Sequence, residues 1–330
     1  MKNGILSCVF RVTSVLTMCL AAAPARAAEP HVLKQFEFDK EGGWDYLTVD
    51  SQARHVYLSH GSHVLVVDAD SGKQIGDIPN TPGVHGVALA PELGKGFISD
   101  GRAGDVTIFE LESRKVLGTV KAGENPDAIL FDPASKRVFV FNGRSHDATV
   151  IDAATHAIAG TLALGGKPEF AVTDGQGQVF VNLEDKAELL ALDPKKLAIT
   201  HRWPLAPCEE PTGLALDAAH RRLFAGCSNK LMAVVDANTG KLITTLPIGA
   251  GVDGTAFDAD RQLAFSSNGE GTLTVIHEDS PEKFSVVATV KTEPGARTLA
   301  LDPKSHHIYL VTGPRKGETG TFKLLVVGTE

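Results

Sequence analysis

Residues 123–165 read GENPDAILFDPASKRVFVFNGRSHDATVIDAATHAIAGTLALG, and the skeleton of this stretch recurs along most of the chain. Its parts are an apolar run that ends in Asp, a basic turn, an aromatic-rich run, a Gly-rich turn, and two apolar runs separated by Asp-x-x-Thr. Short β-rich runs between turn residues predict strands, which we place at residues 128–131, 137–141, 149–152 and 158–164. Asp-Pro and Asn-Gly pairs between the runs exclude a helix of useful length.

The apolar run that ends in Asp, or in Ala in the second copy, marks each repeat. Its last residue lies at positions 50, 90, 132, 174, 217, 258 and 302, so successive copies are 40 to 44 residues apart. Units of four strands with a period of about 40–45 residues are typical of β-propeller blades. The sequence therefore predicts an all-β fold, a seven-bladed β-propeller of four-stranded antiparallel blades.

The two ends of the repeat region complement each other. The seventh repeat predicts only three strands, at residues 298–302, 308–312 and 322–327, whereas residues 32–38 alternate like a strand and have no repeat of their own. An unclosed ring would expose apolar blade faces and strand edges. We therefore expect the N-terminal strand to fill the outer position of the last blade and close the ring.

Residues 1–27 have the composition of a secretory signal peptide. Basic Lys2 and Arg11 precede or flank an apolar stretch at residues 12–23, and Ala25-Arg26-Ala27 offers a cleavage site. The apolar stretch is too short to span a bilayer comfortably. We expect residues 28–330 to form a single periplasmic or secreted propeller domain with no membrane span after the signal is removed.

Composition and charge narrow the possible partners. The chain has 330 residues with 43% apolar content, which suffices for one large core, and we expect a monomer. Its net charge of −8 becomes −11 when the three basic residues of the signal are removed. Because an acidic surface repels phosphate backbones, a nucleic-acid partner is not expected.

Two cysteines remain after the signal. Cys208 lies in the loop before the first strand of the fifth blade, and Cys227 follows its second strand, so both belong to one face of the disc. In an exported protein two such cysteines indicate a disulfide, with two buried thiols or a metal site as the alternatives.

The repeats RVFVFNGRSHDATVIDAATHAIAGTLALG (137–165) and LAFSSNGEGTLTVI (263–276) resemble those of the YVTN-repeat propellers of bacteria, and the resemblance extends over residues 28–330. It implies an exported seven-bladed disc, in some members associated with outer-membrane uptake or surface layers, and in most without an assigned reaction. A more distant similarity is to the gluconolactonase and senescence-marker-protein propellers. That similarity implies a divalent metal held by Glu, Asn and Asp in the central channel.

The loops that precede the first strand of each blade converge on the axis of a propeller, and they carry polar side chains here. No turn rule requires ionisable groups at these positions, so we interpret them as the lining of a ligand channel. Loops after the second strand reach the same face. The first set comprises Trp44, Asp45, His85, Asp127, Glu169, Glu210, Thr212, Asp253 and Arg297, and the second includes His60, Arg102, Asn142, Arg144, His146, Asn182 and Asn268.

A subset of these side chains could hold one divalent metal. Imidazoles and carboxylates suit zinc or copper, whereas amide and carboxylate oxygens suit calcium. Asn-Gly is also a good turn by itself, which offers a structural explanation for Asn142 and Asn268. The candidate ligands are His60, His85, Asp127, Asn142, His146, Glu169, Asn182 and Asn268.

Three functions follow from this channel. The first is the binding of a small ligand or metal ion, with no reaction. The second is a metal-dependent hydrolase of lactonase type, in which His85, Asp127 or Glu169 acts on the substrate and Arg297 steadies its anionic group. The third is a docking scaffold for an outer-membrane or envelope protein. Gly-x-Ser-x-Gly and His-Glu-x-x-His motifs are absent from the sequence.

Overall fold

A computed structural model describes residues 29–38, 43–314 and 320–329, besides Met1 and Gly4. These residues form seven four-stranded antiparallel sheets arranged as the blades of a ring. The predicted seven-bladed propeller is confirmed. The predicted signal peptide lies almost entirely outside the described residues. Within them, no helix is long and apolar enough to cross a membrane.

Six blades are built from consecutive strands. Blades 1 to 3 contain β2 (Leu47–Asp50), β3 (His55–His60), β4 (His63–Asp68), β5 (Gln74–Pro79), β6 (Val84–Ala90), β7 (Lys95–Asp100), β8 (Asp105–Glu110), β9 (Val116–Lys121), β10 (Pro126–Asp132), β11 (Arg137–Asn142), β12 (Asp147–Asp152) and β13 (Ile158–Ala163). Blades 4 to 6 contain β14 (Pro168–Thr173), β15 (Val179–Leu183), β16 (Glu188–Asp193), β17 (Ala198–Pro204), β18 (Pro211–Asp217), β19 (Arg222–Cys227), β20 (Leu231–Asp236), β21 (Leu242–Pro247), β22 (Val252–Asp258), β23 (Leu263–Asn268), β24 (Thr272–Ser280) and β25 (Lys283–Lys291). Two 3-10 helices, Pro91–Leu93 and Glu184–Lys186, lie in turns.

The seventh blade joins the two ends of the chain. It contains β26 (Leu299–Asp302), β27 (His307–Thr312) and β28 (Phe322–Gly328), and β1 (His31–Phe38) is its outer strand. The antiparallel register runs from His31 opposite Gly328 to Phe38 opposite Phe322. The predicted closure of the ring by the N-terminal strand is confirmed.

The core lies between neighbouring blades. In blade 3 the interior positions of β11 and β12 are all buried, whereas most of the outermost strand β13 is exposed. Phe139 and Phe141 of blade 3 share one apolar cluster with Val179 and Leu190 of blade 4. Packing on both faces explains why the central strands read as continuous apolar runs and do not alternate.

The Asp that ends each marker run organises the turn that follows it. Asp50 Oδ1, for example, accepts hydrogen bonds from the backbone N–H groups of Gln52 and Ala53, at 3.0 and 2.9 Å. In three places the Asp also pairs with a basic side chain of the following blade. The pairs are Asp174 with Arg221, Asp258 with His306, and Asp302 with Arg54. These aspartates are therefore structural, and they lie on the face opposite the predicted channel.

The fifth blade contains the predicted disulfide. Cys208 and Cys227 are bonded, with their Cα atoms 5.4 Å apart, and both side chains are buried. The bond connects the loop that enters the blade with the end of β19. It therefore fixes a loop of the face that carries the predicted channel.

Replacing both cysteines in a Cys208→Ser/Cys227→Ser variant should lower the free energy of unfolding by about 3 kcal/mol, because the 19-residue separation sets the entropy that the cross-link removes from the unfolded chain. Urea unfolding under non-reducing conditions measures the difference. Reduced wild-type protein should behave like the variant. Free thiols in unreduced peptides of the wild type would contradict the pairing.

Because Arg54 of blade 1 pairs with Asp302 of blade 7, we expect the contact between these blades, which we call the seam, to be acid-sensitive. Burial alone would raise the pKa of Asp302, but hydrogen bonds from Ser305, Ser51 and Arg54 outweigh it and hold the pKa at about 2. A lowered carboxyl pKa stabilises the fold above about pH 4, and this contribution is lost as the pH falls towards 2. Arg54→Gln should cost at most about 2 kcal/mol at pH 7 and move acid unfolding to higher pH.

Circular dichroism during acid titration tests this expectation. The matched control is Arg261→Gln, which removes an exposed arginine from a turn that follows an equivalent Asp in blade 6. Equal acid midpoints for wild type and Arg54→Gln would show that the pair contributes nothing to the seam.

Candidate functional site

The candidate site is built from one residue position that recurs at the start of the innermost strand of each blade. In blades 2, 3 and 6 this strand opens with a residue paired to the end of the second strand, as in Val84 opposite Asp100, Pro126 opposite Asn142 and Val252 opposite Asn268. The next residue is His85, Asp127 or Asp253. Across the seven blades the equivalent residues are Asp45, His85, Asp127, Glu169, Thr212, Asp253 and Arg297. Six of the seven are ionisable, and we call this set the inner ring.

His85 joins two carboxylates of the inner ring. Its Nδ1–H donates to Asp45 Oδ2 at 2.5 Å, and Nδ1 lies 3.5 Å from Asp127 Oδ1. Burial disfavours the imidazolium, but the hydrogen bond to Asp45 and the fields of Asp127, Asp45 and Glu169 outweigh burial and raise the pKa of His85 to about 9. His85 is therefore a cation at neutral pH.

Arg297 closes the inner ring between blades 6 and 1. Its Nε donates to Asp253 Oδ2 at 2.6 Å, and Nη2 lies 3.6 Å from Asp45 Oδ1. The guanidinium also lies over the ring of Trp44, 6.0 Å from the ring centroid. Asp45 is thus shared by His85 on one side and Arg297 on the other.

The fourth blade adds a cation that sequence reasoning missed. Lys167 Nζ lies 3.1 Å from Glu169 Oε2 and also pairs with Glu184. The signal was present in the sequence, since Lys167 lies two residues before Glu169 and its side chain reaches the same face. Each carboxylate of the inner ring therefore has a basic neighbour.

Three carboxyl groups of the inner ring, those of Asp127, Glu169 and Asp253, have raised pKa values. Burial raises the pKa of Asp127, against the attraction of His85 and together with repulsion from Asp45. Burial and repulsion from Asp127 raise the pKa of Glu169 to about 8, although Lys167 opposes the shift. Burial and Asp45 raise the pKa of Asp253 to about 6, and Arg297 opposes them. At neutral pH Glu169 keeps its proton and can donate a hydrogen bond.

Two aromatic side chains fill the axis beside the inner ring. Tyr46 of blade 1 and Phe170 of blade 4 meet edge to face, with ring centroids 5.3 Å apart, and Tyr46 is buried. Blades 1 and 4 lie on different sides of the ring, so their side chains can meet only near its axis. The predicted channel is therefore a cup with an aromatic floor.

Blades 5 and 6 have a glycine at the position equivalent to Tyr46. This glycine lets the inner strands of neighbouring blades lie close together. A Cβ on Gly213 would lie 2.8 Å from the backbone nitrogen of Thr255, and one on Gly254 would lie 2.7 Å from that of Leu299. Comparison of the repeats at this position would have shown that blade 1 has the large side chain of Tyr46 where blades 5 and 6 have glycine.

Loops above the inner ring enclose a pocket of about 540 Å³. It is lined by Trp44, Asp45, Gly43, Gly61, Gly83, Val84, His85, Gly101, Arg102, Asn125, Arg144 and Arg297. These residues come from loops that precede the first strand and from loops that follow the second, as the sequence predicted for one common face. The lining contains three arginines, a protonated histidine and one carboxylate. Asp127 and Asp253 lie beside His85 and Arg297 and reduce this excess of positive charge without cancelling it.

The fifth blade contributes little to this pocket. Glu210 is exposed and has a φ of 43°. Thr212 is buried, and its Oγ1–H donates to the carbonyl of Val252 at 2.8 Å. The only non-ionisable position of the inner ring therefore links blades 5 and 6.

Two histidines predicted as metal ligands lie apart from His85. His60 is buried at the end of β3, where its ring stacks on Phe322 with centroids 4.4 Å apart and Nδ1 lies 2.8 Å from His63 Nε2. His146 is exposed in the turn between β11 and β12. Neither shares with His85 any of the three-ligand groups found among the described residues.

The three asparagines predicted as ligands all donate hydrogen bonds from their amide nitrogens. Asn142 donates to Asp147 Oδ1 at 2.6 Å and to Thr149 Oγ1 at 3.0 Å. Asn268 donates to Thr272 and Thr274, both at 3.0 Å. Asn182 donates to two backbone carbonyls of the next blade. These bonds agree with the turn explanation of the Asn-Gly pairs.

Asp45, His85 and Asp127 offer three ligand atoms that all lie within 4.8 Å of one another. One nitrogen and two oxygens are a donor set that zinc accepts. His85 and Asp127 were predicted as ligands, whereas Asp45 was predicted only as a channel residue. The residues fit such an ion, although His85 already shares its Nδ1 proton with Asp45.

Comparisons with known proteins support the fold and no closer relationship. No protein-family model matches the chain, and no curated protein matches it. Similar solved structures include the RRP9 WD40 repeats, with a TM-score of 0.77, 9% identity and coverage of 92% of this chain and 99% of that one. The hydrazine synthase of Kuenenia stuttgartiensis gives a TM-score of 0.71 at 14% identity, covering 83% and 94%. A chain of the mitotic checkpoint complex gives 0.75 at 16%, covering 95% and 98%.

At these identities the structural likeness shows the fold alone. The chain is a seven-bladed β-propeller whose cup is lined by paired acids and bases. Its membership of the YVTN-repeat group remains a prediction from the repeat sequences.

The pKa of His85 should fall when its carboxylate partner is neutralised. In Asp45→Asn we expect the pKa to drop from about 9 by two units or more, because the main interaction that favours the imidazolium is lost while burial remains. NMR titration of the His85 ring measures the shift. The control is Asp260→Asn, an exposed position on the opposite face, which should leave the His85 titration unchanged. An unaltered curve in Asp45→Asn would contradict the assigned pairing.

Proposed function

We propose that this protein is an exported propeller that binds a small anionic ligand in its cup. The observation that carries this proposal is the pocket of about 540 Å³, whose lining contains three arginines and the Asp45–His85 pair. A cavity of this size suits a small molecule. The surplus of positive charge at its wall, in a chain with net charge −8, favours a carboxylate or phosphate group.

The arginines have different roles in this proposal. Arg102 and Arg144 are exposed at the rim and are free to turn towards a ligand. Arg297 is held by Asp253 and Trp44, so its orientation is fixed before a ligand enters. A guanidinium presents two parallel N–H donors to a carboxylate or phosphate, which makes arginine well suited to both groups. Trp44 adds an apolar surface beside them.

A second candidate function is metal-dependent hydrolysis, for which the Asp45–His85–Asp127 group is the supporting observation. Zinc or copper held by these residues would supply a Lewis acid for the carbonyl of a lactone or another ester. Arg297 would hold the anionic end of the substrate, and the protonated Glu169 would be a proton donor near the cation. Simple binding requires none of these additional features, so we rank it first.

Protein docking is a third candidate. A structural neighbour belongs to a mitotic checkpoint complex, which is an assembly of proteins, and the loop face of this disc offers a broad surface around the cup. A docking partner at the outer membrane or cell envelope would agree with the proposed signal peptide, the periplasmic or secreted location and the resemblance to YVTN-repeat proteins.

Calorimetry with a panel of anions tests the first proposal. Phosphate, succinate, citrate, gluconate and glucose 6-phosphate span the ligand class, with glucose as the uncharged comparison. At least one anion should bind to the wild type, and Arg102→Gln/Arg144→Gln should weaken its binding by tenfold or more, since each charge-assisted hydrogen bond contributes about 1.5–3 kcal/mol. Arg297→Gln should have a larger effect because it also releases Asp45 and Asp253.

The control variant is Arg261→Gln, which removes one positive charge on the opposite face, as Arg297→Gln does in the cup, and should bind like the wild type. Binding of glucose with equal affinity, or equal affinity of every variant for the anions, would refute an anion site in the cup. Hydrolysis of a lactone panel that stops with a chelator and in His85→Asn would favour the second candidate instead.

A further inference from the structure

A second cluster of acids and a histidine lies on the face opposite the cup. Asp217 and His220 belong to the turn after β18 in blade 5, and Glu278 lies near the end of β24 in blade 6. His220 Nδ1 is 2.7 Å from Asp217 Oδ2 and 2.9 Å from Glu278 Oε1. Their ligand atoms all lie within 4.8 Å of one another. Two neighbouring blades thus bring two carboxylates to one imidazole.

The other blades show what is unusual here. Asp174, Asp258 and Asp302 each pair with a basic residue of the next blade, at the turn position that Arg221, His306 and Arg54 occupy. After Asp217 this position is occupied by Gln262, whose Nε2 donates to the carbonyl of its own neighbour Ala259 at 2.6 Å.

The long strand β24 brings the Glu278 carboxylate to the place of the missing cation. The backbone N–H of Glu278 donates to the carbonyl of Gln262 at 2.9 Å, which fixes the position of Glu278 beside Asp217. Blade 6 therefore supplies a negative charge where blades 1, 5 and 7 supply a positive one.

Glu278 is buried, and its side chain is 0% exposed. Its Oε1 has the ion-pair contact with His220, and Oε2 accepts no hydrogen bond from the described residues. Asp217 is equally buried, at 1% exposed. Two buried carboxylates side by side are costly unless a cation neutralises them. His220 alone supplies at most one positive charge for two negative ones.

The nearest arginine does not fill this gap. Arg222 directs its guanidinium to the carboxylates of Asp236 and Glu282, at 2.8 Å each, and to the carbonyl of Pro281 at 2.7 Å. A further bond goes to the carbonyl of His220 at 3.1 Å. Because its guanidinium is engaged in these contacts, Arg222 does not place a second cation between Asp217 and Glu278.

We propose that Asp217, His220 and Glu278 bind a divalent first-row transition-metal ion, with zinc as the preferred probe. One imidazole nitrogen and two carboxylate oxygens suit zinc, which binds such atoms at about 2.0–2.2 Å and therefore sets them roughly 3 to 3.5 Å apart. The distances from His220 Nδ1 to Asp217 Oδ2 and to Glu278 Oε1 are slightly shorter than this. A small outward movement of the His220 side chain, which is 39% exposed, creates the required space. Solvent completes the coordination from the exposed side.

The ion acts as a clamp between blades 5 and 6. It replaces the positive charge that Arg221, His306 and Arg54 supply at three other junctions, and a chelator can remove it. The site is separate from the Asp45–His85–Asp127 group, since the two lie on different faces of the disc and share no residue.

Zinc binding to the chain without its predicted signal peptide tests the proposal. Calorimetry and elemental analysis after dialysis should give at least one zinc equivalent for the wild type. Glu278→Gln should lose one equivalent or bind it at least about 100-fold more weakly, because even the loss of an outer-shell partner costs 10–100-fold in metal affinity. The matched control is Glu282→Gln, a neighbouring glutamate that is exposed and is not a ligand, and it should retain that equivalent.

Two further measurements separate this site from the cup and from misfolding. Asp45→Asn should keep the equivalent that Glu278→Gln loses. In the metal-free state Glu278→Gln should melt at or above the wild-type temperature, because the variant removes repulsion between Asp217 and Glu278, and zinc should raise the melting temperature of the wild type only. Mn²⁺ should broaden the NMR signals of residues 217–221 and 277–279.

Retention of every zinc equivalent by Glu278→Gln would overturn the assignment. So would Mn²⁺ broadening confined to the surroundings of His85, or a wild type that binds no zinc at millimolar concentration. A variant with unfolded circular dichroism is replaced by Asp217→Asn, for which the same loss of one equivalent is expected.

Discussion

Backbone hydrogen bonds between β1 and β28 hold the ring closed, and the candidate site depends on this pairing because it lies across the seam. Asp45 belongs to blade 1 and Arg297 to blade 7, and their side chains are 3.6 Å apart only because these blades adjoin. Thr298 donates to the carbonyl of Asp45 at 2.7 Å, and the hydroxyl of Tyr309 reaches the carbonyl of Ala69 at 3.1 Å. Side chains thus reinforce the junction from the cup to the opposite face.

Charge pairing governs both faces, in different ways. Buried ions are costly, and carboxylates of the inner ring are offset by neighbouring bases, such as His85 beside Asp45 or Arg297 beside Asp253. On the opposite face, basic side chains of the neighbouring blade neutralise buried carboxylates. Groups with displaced pKa values concentrate where ligands bind, and the inner ring has this property while the blade-to-blade pairs resemble ordinary structural bridges.

The sequence sufficed for the fold because its signals are local and repeated. Strand, turn and marker Asp recur every 40 to 44 residues, and the unmatched strand at residues 32–38 could be assigned to the unfilled position in the last blade. The inner ring was also accessible, since a fixed position in each repeat carries its members. Lys167 was missed, because its place two residues before Glu169 does not show where its long side chain ends.

Side-chain direction and contacts between distant blades explain the remaining differences. Tyr46 meets Phe170 across the axis, a contact between residues more than 120 positions apart that no local pattern announces. Glu278 lies in a strand extended beyond the usual blade length, so its approach to Asp217 follows from the geometry of two blades. For Asn142 the turn explanation and the ligand explanation make the same sequence prediction. The hydrogen bonds of its amide nitrogen agree with the turn explanation, and the ligand role of its amide oxygen stays a prediction.

Closure by strands from opposite ends of the chain also fixes an order of events during synthesis. While the ribosome is still adding β28, blade 7 lacks the strand on which β1 pairs, so the seam stays open and apolar faces of the first and last blades remain uncovered. Exposed edges of this kind invite pairing with other chains. Until β28 is available to pair with β1, the chain is therefore vulnerable to aggregation through the uncovered faces of its first and last blades.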